Sequence, residues 1–337
     1  MYEKKNKDQR DRLRAAQVSL IASFFIMACK FVAFQVSGSQ AIFSDAAESG
    51  VNVVAAMLAL IVVALAFKPA DTKHPYGHGK MEFFSAAFEG GLITFAAIAI
   101  LIQAIMALIH GNSVEDLGFG LVLIGVGGLS NLLLGLYLKK VGTKAQSKAL
   151  LASSAHVLSD LWTSVGIIVG LCLYLLTGWL WIDSCIALIV ALFLIYSGVN
   201  IVKEAFRDLL DGTDNGLVES LAAHVEKYRL PGMIQIHRAR ILRSGNFHHI
   251  DAHLIVPQFW DVEKAHEKTE KFTKRMMEKY PYDGEVCFHV EPCRKAYCTS
   301  CECSRCPIRQ AEFVERSFLM EEFVALSEPS KKKLSPV

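Results

Sequence analysis

Residues 81–138 read MEFFSAAFEGGLITFAAIAILIQAIMALIHGNSVEDLGFGLVLIGVGGLSNLLLGLYL, with no Lys or Arg among them. A hydrocarbon core about 30 Å thick takes about 20 apolar residues per helix, so a window of this length holds two spans. The break between them falls at His110-Gly-Asn-Ser-Val-Glu-Asp116, a run of turn formers and acids. Two more windows free of basic residues, 31–67 and 149–202, divide in the same way at Gly38-Ser39 and Thr177-Gly178. The pattern predicts six membrane spans, at 15–37, 42–66, 83–109, 118–138, 149–176 and 180–202.

Composition agrees with this reading. AVILMFWYC residues make up 53% of the 337, while the net charge of +2, from 35 basic and 33 acidic residues, conceals the windows without Lys or Arg. These features exclude a secreted disulfide scaffold, a nucleic-acid binder driven by net charge, and a disordered chain. Loop charge sets the orientation. Lys4, Lys5, Lys7, Arg10, Arg12 and Arg14 precede the first span, Lys68, Lys73 and Lys80 follow the second, and Lys139, Lys140, Lys144 and Lys148 follow the fourth. The three opposite connections carry no Lys or Arg. Cytoplasmic loops collect basic residues, so both termini are expected in the cytoplasm of a multi-pass protein of the cell (inner) membrane.

Beyond about residue 205 the chain reads as a soluble domain, with helical stretches near 215–229 and 261–279, alternating runs at 233–243 and 247–256, and a short strand at 285–290. That α-β-β-α-β order predicts a small α+β sandwich. The organisation expected is a segment 1–14, a six-helix membrane domain 15–205, an α+β domain 206–292, a cysteine-rich segment 293–309 and a poorly ordered tail 310–337.

Polar groups at membrane depth cost several kcal/mol unless they are paired or face a cavity, so each is a candidate for function. The second span carries Ser44-Asp45-Ala-Ala-Glu48-Ser-Gly-Val-Asn52 and the fifth Ser153-Ser-Ala-His156-Val-Leu-Ser-Asp160. Glu48 with Asn52, and His156 with Asp160, are i,i+4 pairs that share a helix face. If the two faces meet, carboxylate, amide oxygen, imidazole and carboxylate surround one point, an N/O site for Zn²⁺, Mn²⁺ or Fe²⁺. Asp45, a turn further out, is read as a ligand or an exit-path acid. Lys30, Glu89 and Asp183, also inside spans, are read as snorkelling or mutually paired groups.

Three further groups lie outside the spans. Asp71, His74 and His78 fall within the Pro- and Gly-rich connection Lys68-Pro-Ala-Asp71-Thr-Lys-His74-Pro-Tyr-Gly-His78-Gly-Lys80, which either wraps a metal or forms a solvated turn. His237, His248, His249, His253, His266 and His289 recur on or beside the predicted strands, with Asp251 and Glu291 close by. Cys293, Cys298, Cys301, Cys303 and Cys306 are spaced C-x4-C-x2-C-x-C-x2-C, which in a reducing cytoplasm reads as soft-metal ligands, Zn²⁺ foremost.

These residues carry a family resemblance. From about residue 10 to 293 the chain resembles the cation diffusion facilitators. It shares their six spans, the acid/Asn and His-x-x-x-Asp pairing, the loop His74-Pro-Tyr-Gly-His-Gly-Lys-Met-Glu82, and a domain ending His289-Val-Glu291-Pro-Cys293. The resemblance implies a homodimeric proton/divalent-metal antiporter, not an enzyme, whose cytoplasmic domain has a ferredoxin- or metallochaperone-like fold. It places a transport site on Glu48, Asn52, His156 and Asp160, a loop site on Asp71, His74 and His78, and a cytoplasmic site on His237, His253, His266, His289 and Glu291. Zinc-handling members commonly show Asp or His with Asp on the second span, where this sequence has Glu48 and Asn52, so the transported ion stays open. A passive cation channel and, more remotely, a membrane di-iron enzyme suggested by His74-x-x-x-His78 and His248-His249 are the alternatives.

Overall fold

Residues 2–37 contain no Pro or Gly, and they form one helix, α1 (Tyr2–Ser37), so the basic segment that precedes the first span continues it. Five more long helices follow: α2 (Gln40–Ala66), α3 (Met81–His110), α4 (Leu117–Ala145), α5 (Lys148–Thr177) and α6 (Trp181–Leu209). The computed structural model describes residues 2–37, 40–66, 68, 70–110, 117–177, 181–212, 214–303, 306–314 and 323–324, with side chains left out at 1–8, 33–34, 36–48, 110–124 and a few positions of 167–183 and at 300. The chain divides into two units, 1–210 and 211–337.

In the first unit the usual polarity of a globular protein is reversed. Phe25, Ile21, Phe95, Ile109, Ile189 and Tyr196 are exposed, whereas Ser23, Ser85, Glu89, Asn131, Ser153 and His156 are buried. Apolar side chains outward and polar ones inward is what a lipid solvent selects, because hydrocarbon does not penalise exposed Phe and cannot solvate a hydroxyl. Among the described residues α1, α2, α3 and α6 are long and apolar enough to cross a membrane.

Small residues let the helices approach closely, as lipid-embedded interfaces require. The most extensive packing is of α3 on α6, followed by α4 on α5 and α1 on α2. At the α3–α6 crossing a Cβ on Gly198 would lie 2.9 Å from the Gly90 carbonyl oxygen, and one on Gly90 would lie 3.0 Å from that of Gly198. The α4–α5 turn is tight: Ser147 N–H donates to Gly142 O at 2.9 Å, and Ser147 Oγ accepts from Leu150 N at the start of α5.

The second unit runs α7 (Asn215–Tyr228), β1 (Gln235–Ser244), β2 (Phe247–Val256), α8 (Val262–Met277), β3 (Asp283–Pro292) and a short 3₁₀ turn at Lys295–Ser300. Asp214 and Asp261 cap the two helices through Leu217 N and Lys264 N. The strands lie in the order β1-β2-β3, with β1–β2 an antiparallel hairpin and β2–β3 parallel. One sheet face, with Ile236, Ala239, Ile250, Ala252 and Leu254, packs on Val218, Leu221, Phe272 and Met276 of the helices. Phe323, which the sequence leaves in an irregular tail, is buried in that same core; the rest of the tail from 315 lies outside the described residues, Val324 apart.

Strand β1 changes parity part-way. His237 pairs with His253 and Arg240 with Asp251, so two residues of β1, Arg238 and Ala239, stand against the single Ala252 of β2, and Arg238 takes φ 53. The extra residue is a β-bulge. It allows both Ile236 and Ala239 to face the core while His237 faces the other way.

Candidate metal centres

In the membrane unit α2 and α5 meet as their polar faces predict, and Asn52 is the link. Its Nδ2 donates to Asp160 Oδ2 at 2.6 Å, and its Oδ1 lies 2.7 Å from His156 Nε2. An amide oxygen only accepts, so in this arrangement Nε2 carries the hydrogen. His156 is buried, and the Asp160 carbonyl accepts from Thr163 Oγ1 and Ser164 Oγ one turn on. Asn52, His156 and Asp160 thus form one polar centre inside an apolar bundle. The side chains of Asp45 and Glu48 lie outside the described residues.

Between α2 and α3, Asp71, His74 and His78 bring ligand atoms within 4.8 Å of one another. Asp71 Oδ1 accepts the backbone N–H of Lys73 at 2.8 Å and of His74 at 2.7 Å, an Asx turn that folds the loop on itself. The His74 amide is the main reason the Asp71 carboxyl is held below its ordinary range. His74 Nδ1 stands 3.3 Å from Oδ1, His78 Nε2 3.6 Å from Oδ2, and the two rings are 4.3 Å apart.

The second unit gathers His237, His253 and Glu291, again within 4.8 Å of one another, on the sheet face turned away from α7 and α8. Register makes this inevitable, since His237 pairs across β1–β2 with His253, and His253 across β2–β3 with His289. Glu291 Oε1 is 2.7 Å from His253 Nδ1 and 3.8 Å from His289 Nε2, while Oε2 is 3.6 Å from His237 Nε2. His266 is not part of this group: it is 79% exposed on α8, beside Glu270 of its own helix. His248 is a core residue, stacked on Tyr282 with Nδ1 3.0 Å from Tyr280 Oη, and burial pushes its pKa down to about 4. His249 pairs with Glu285.

The five cysteines do not close into a comparable group: among the described residues the two sets of three or more ligand atoms within 4.8 Å are the loop and sheet groups above. Burial pushes the Cys293 and Cys303 thiols up. Arg309 organises the segment instead, donating to the carbonyls of Cys298, Cys301, Cys303 and Ala311 at 2.7–3.2 Å. Tyr297 and Cys301 then pack on Ile234 and Ile255.

A second polar network escapes the sequence reading. Arg12 Nη1 donates to Glu82 Oε1 at 2.9 Å, its other arm reaches the Ala145 carbonyl, and Ser147 Oγ donates to Glu82 Oε2 at 2.7 Å, all buried. Arg12 stands among basic residues read as an orientation signal, and its partner lies 70 positions away.

Residues 16–210 match the family model described as the cation efflux transmembrane domain, and residues 214–293 that of the cation efflux protein cytoplasmic domain. The chain is 31% identical over 278 residues to a Synechocystis protein named uncharacterized transporter sll1263, across 82% of this chain and 89% of that one. It is 27% identical to the manganese efflux system protein MneP of Bacillus subtilis over 286 residues, 83% and 95% of the two chains. It is also 27% identical to the cation-efflux pump FieF of Citrobacter koseri over 283 residues, 83% and 92%.

Proposed function

The chain belongs to the cation efflux, or cation diffusion facilitator, family of membrane transporters, and from that premise we propose that it exports divalent transition-metal ions from the cytoplasm in exchange for protons. The observation that carries the proposal is the buried Asn52–His156–Asp160 centre at the α2–α5 contact. Its oxygen and nitrogen donors suit Mn²⁺, Fe²⁺ or Zn²⁺. Manganese is favoured by the name of the Bacillus relative.

The chemistry of the ligands supports exchange rather than simple passage, because imidazole and carboxylate bind a metal only in their deprotonated forms. A metal taking His156 Nε2 needs the lone pair of a nitrogen that now donates to Asn52, so binding moves the ring hydrogen to Nδ1 or, from a doubly protonated ring, releases a proton. Asp160 exchanges the Asn52 amide for the ion, and Glu48, an i,i+4 neighbour of Asn52, completes the set, with Asp45 on the exit path. When the site faces the opposite side, protons returning to these groups release the metal, and the tight α3–α6 pair supplies a rigid body against which α2 and α5 rock. The loop group and the sheet group, His237, His253, His289 and Glu291, hold further ions on the cytoplasmic side, where the second unit pairs with its copy in a homodimer and His266 is available to the partner. The cysteines take Zn²⁺ if their sulfurs close together.

Vesicles loaded with a pH dye and a metal dye test the reading. Efflux predicts metal movement that acidifies or alkalinises the lumen in step. A channel gives metal flux without proton movement, and a di-iron enzyme gives neither.

A further inference from the structure

Glu89 on α3 is 1% exposed and belongs to none of the centres above. Its Oε1 accepts the hydroxyl of Ser153 on α5 at 2.8 Å. Ser85, wholly buried one turn earlier on α3, stands beside the same carboxyl. Oε2 has no hydrogen-bond partner among the described residues, and no cation pairs with the group there. The contrast with Glu82, two turns back on the same helix, is direct, because that acid is answered by Arg12.

A bare carboxylate in such a place costs many kcal/mol, so a cation or a proton must accompany it. Transition-metal sites are built from several carboxylate, imidazole or thiolate ligands. Glu89 offers a single carboxyl beside two neutral hydroxyls and belongs to no group of three such ligands among the described residues, and the apolar cluster Ala86, Ala152, Ala205 and Ile201 lies on the same helices. The proton is the occupant that fits. The other titratable groups on the packed helices are placed elsewhere. On α5, His156 and Asp160 lie beyond Ser153, and Lys148 pairs with Glu204 and Asp208 of α6. On α6 the level of Glu89 presents Ala205 and Ile201. On α2, packed against α3, Asn52 is neutral, and the side chains of Asp45 and Glu48 lie outside the described residues.

We propose that Glu89 is a proton-binding site separate from the metal centre and linked to it by Ser153, three residues before His156 on α5. Its O–H bond breaks and the proton passes to water as the metal centre fills, and a proton from the opposite side restores the neutral acid as the centre empties. This rests on the exchange reading above and supplies it with a proton that no metal ligand carries.

Infrared difference spectra of the full-length protein in bilayers, with and without Zn²⁺, read the site without transport. Wild type should lose a protonated-carboxyl carbonyl band on adding Zn²⁺, Glu89→Gln should lack that loss, and Glu89→Asp should keep it at a shifted frequency. Ser153→Ala should move the band without abolishing it. The same loss in Glu89→Gln as in wild type overturns the proposal, as does a wild-type spectrum in which no such band changes. In vesicles, Glu89→Gln should bind Zn²⁺ as wild type does while its flux responds less steeply to a pH gradient, the protons of the metal ligands alone remaining. If its flux keeps the wild-type response, Glu89 is not the site and exchange stands; if wild-type flux itself ignores the gradient, exchange falls, whatever Glu89 does.

Discussion

Replacing Arg12 by Ala should unfold the membrane unit well below the wild-type temperature. The Arg12–Glu82 contact is 2.9 Å long with side chains 6% and 1% exposed, so neither charge has water to fall back on. After the substitution Glu82 keeps the Ser147 hydroxyl, which satisfies one oxygen but neutralises nothing. Breaking one side of a buried pair costs about 3–5 kcal/mol. At roughly 2–4 °C per kcal/mol for a unit of this size, the midpoint should fall by about 6–20 °C. Glu82→Gln should lose a comparable amount by stranding the guanidinium. The double variant Arg12→Met/Glu82→Gln removes both charges, leaves Ser147 an acceptor, and should recover most of the loss. Thermal unfolding of the purified full chain in detergent, followed by tryptophan fluorescence, gives all four midpoints. If Arg12→Ala melts within about 2 °C of wild type, or if the double variant is no better than the worse single one, the pair does not hold the helices together.

Four other outcomes follow from the geometry. Asp160→Ala and His156→Ala should each abolish metal flux in vesicles while the protein still folds, and near-normal flux in both removes the α2–α5 centre from the pathway. Changing Asp71, His74 and His78 together to Ala should alter apparent metal affinity more than maximal rate, and a dead transporter would put the loop on the path. His248 titrates at about 4 when folded against about 6.5 unfolded, so stability present above pH 6.5 is lost as pH falls towards 4, by roughly 3 kcal/mol in all. Hydrogen exchange of residues 235–256 in the full chain, corrected for the intrinsic rate, should show that loss, and His248→Phe should flatten it. Arg309→Ala should open the stretch 298–311 to protease while the sheet stays protected; unchanged cleavage would show that the carbonyl bonds are not what orders it.

The parts of the molecule with a period were readable, and of those without one only the loop group Asp71, His74 and His78, whose residues lie within eight positions, could be picked out. Windows without Lys or Arg reveal helices because lipid imposes length and composition on them, and the polar faces of α2 and α5 do meet through Asn52. The α-β-β-α-β order was equally readable, since alternation marks each strand, and it brings His237, His253 and Glu291 together by register alone. Arg309 gave no signal, because its four acceptors are backbone carbonyls and any sequence has those. Glu89 reads as one more intramembrane acid, and only the structure shows that its partner among the described residues is the Ser153 hydroxyl and not a cation. The cysteine spacing describes which sulfurs are close along the chain, and it carries no sign of the guanidinium that gathers the carbonyls of the same stretch.

The extra residue in β1 also determines how this strand can change over evolutionary time. Substitutions at Arg238 or Ala239 leave the count intact and disturb only local fit. Deleting either residue would restore strict alternation from Ile236 onward. The pairs on either side, His237 with His253 and Arg240 with Asp251, would stay opposite one another, because β2 has the single residue Ala252 between its two partners where β1 has two. This is therefore the one point in the strand where loss of a residue leaves the histidine register and the core face in place, whereas a loss elsewhere slides part of β1 by one and turns its side chains over.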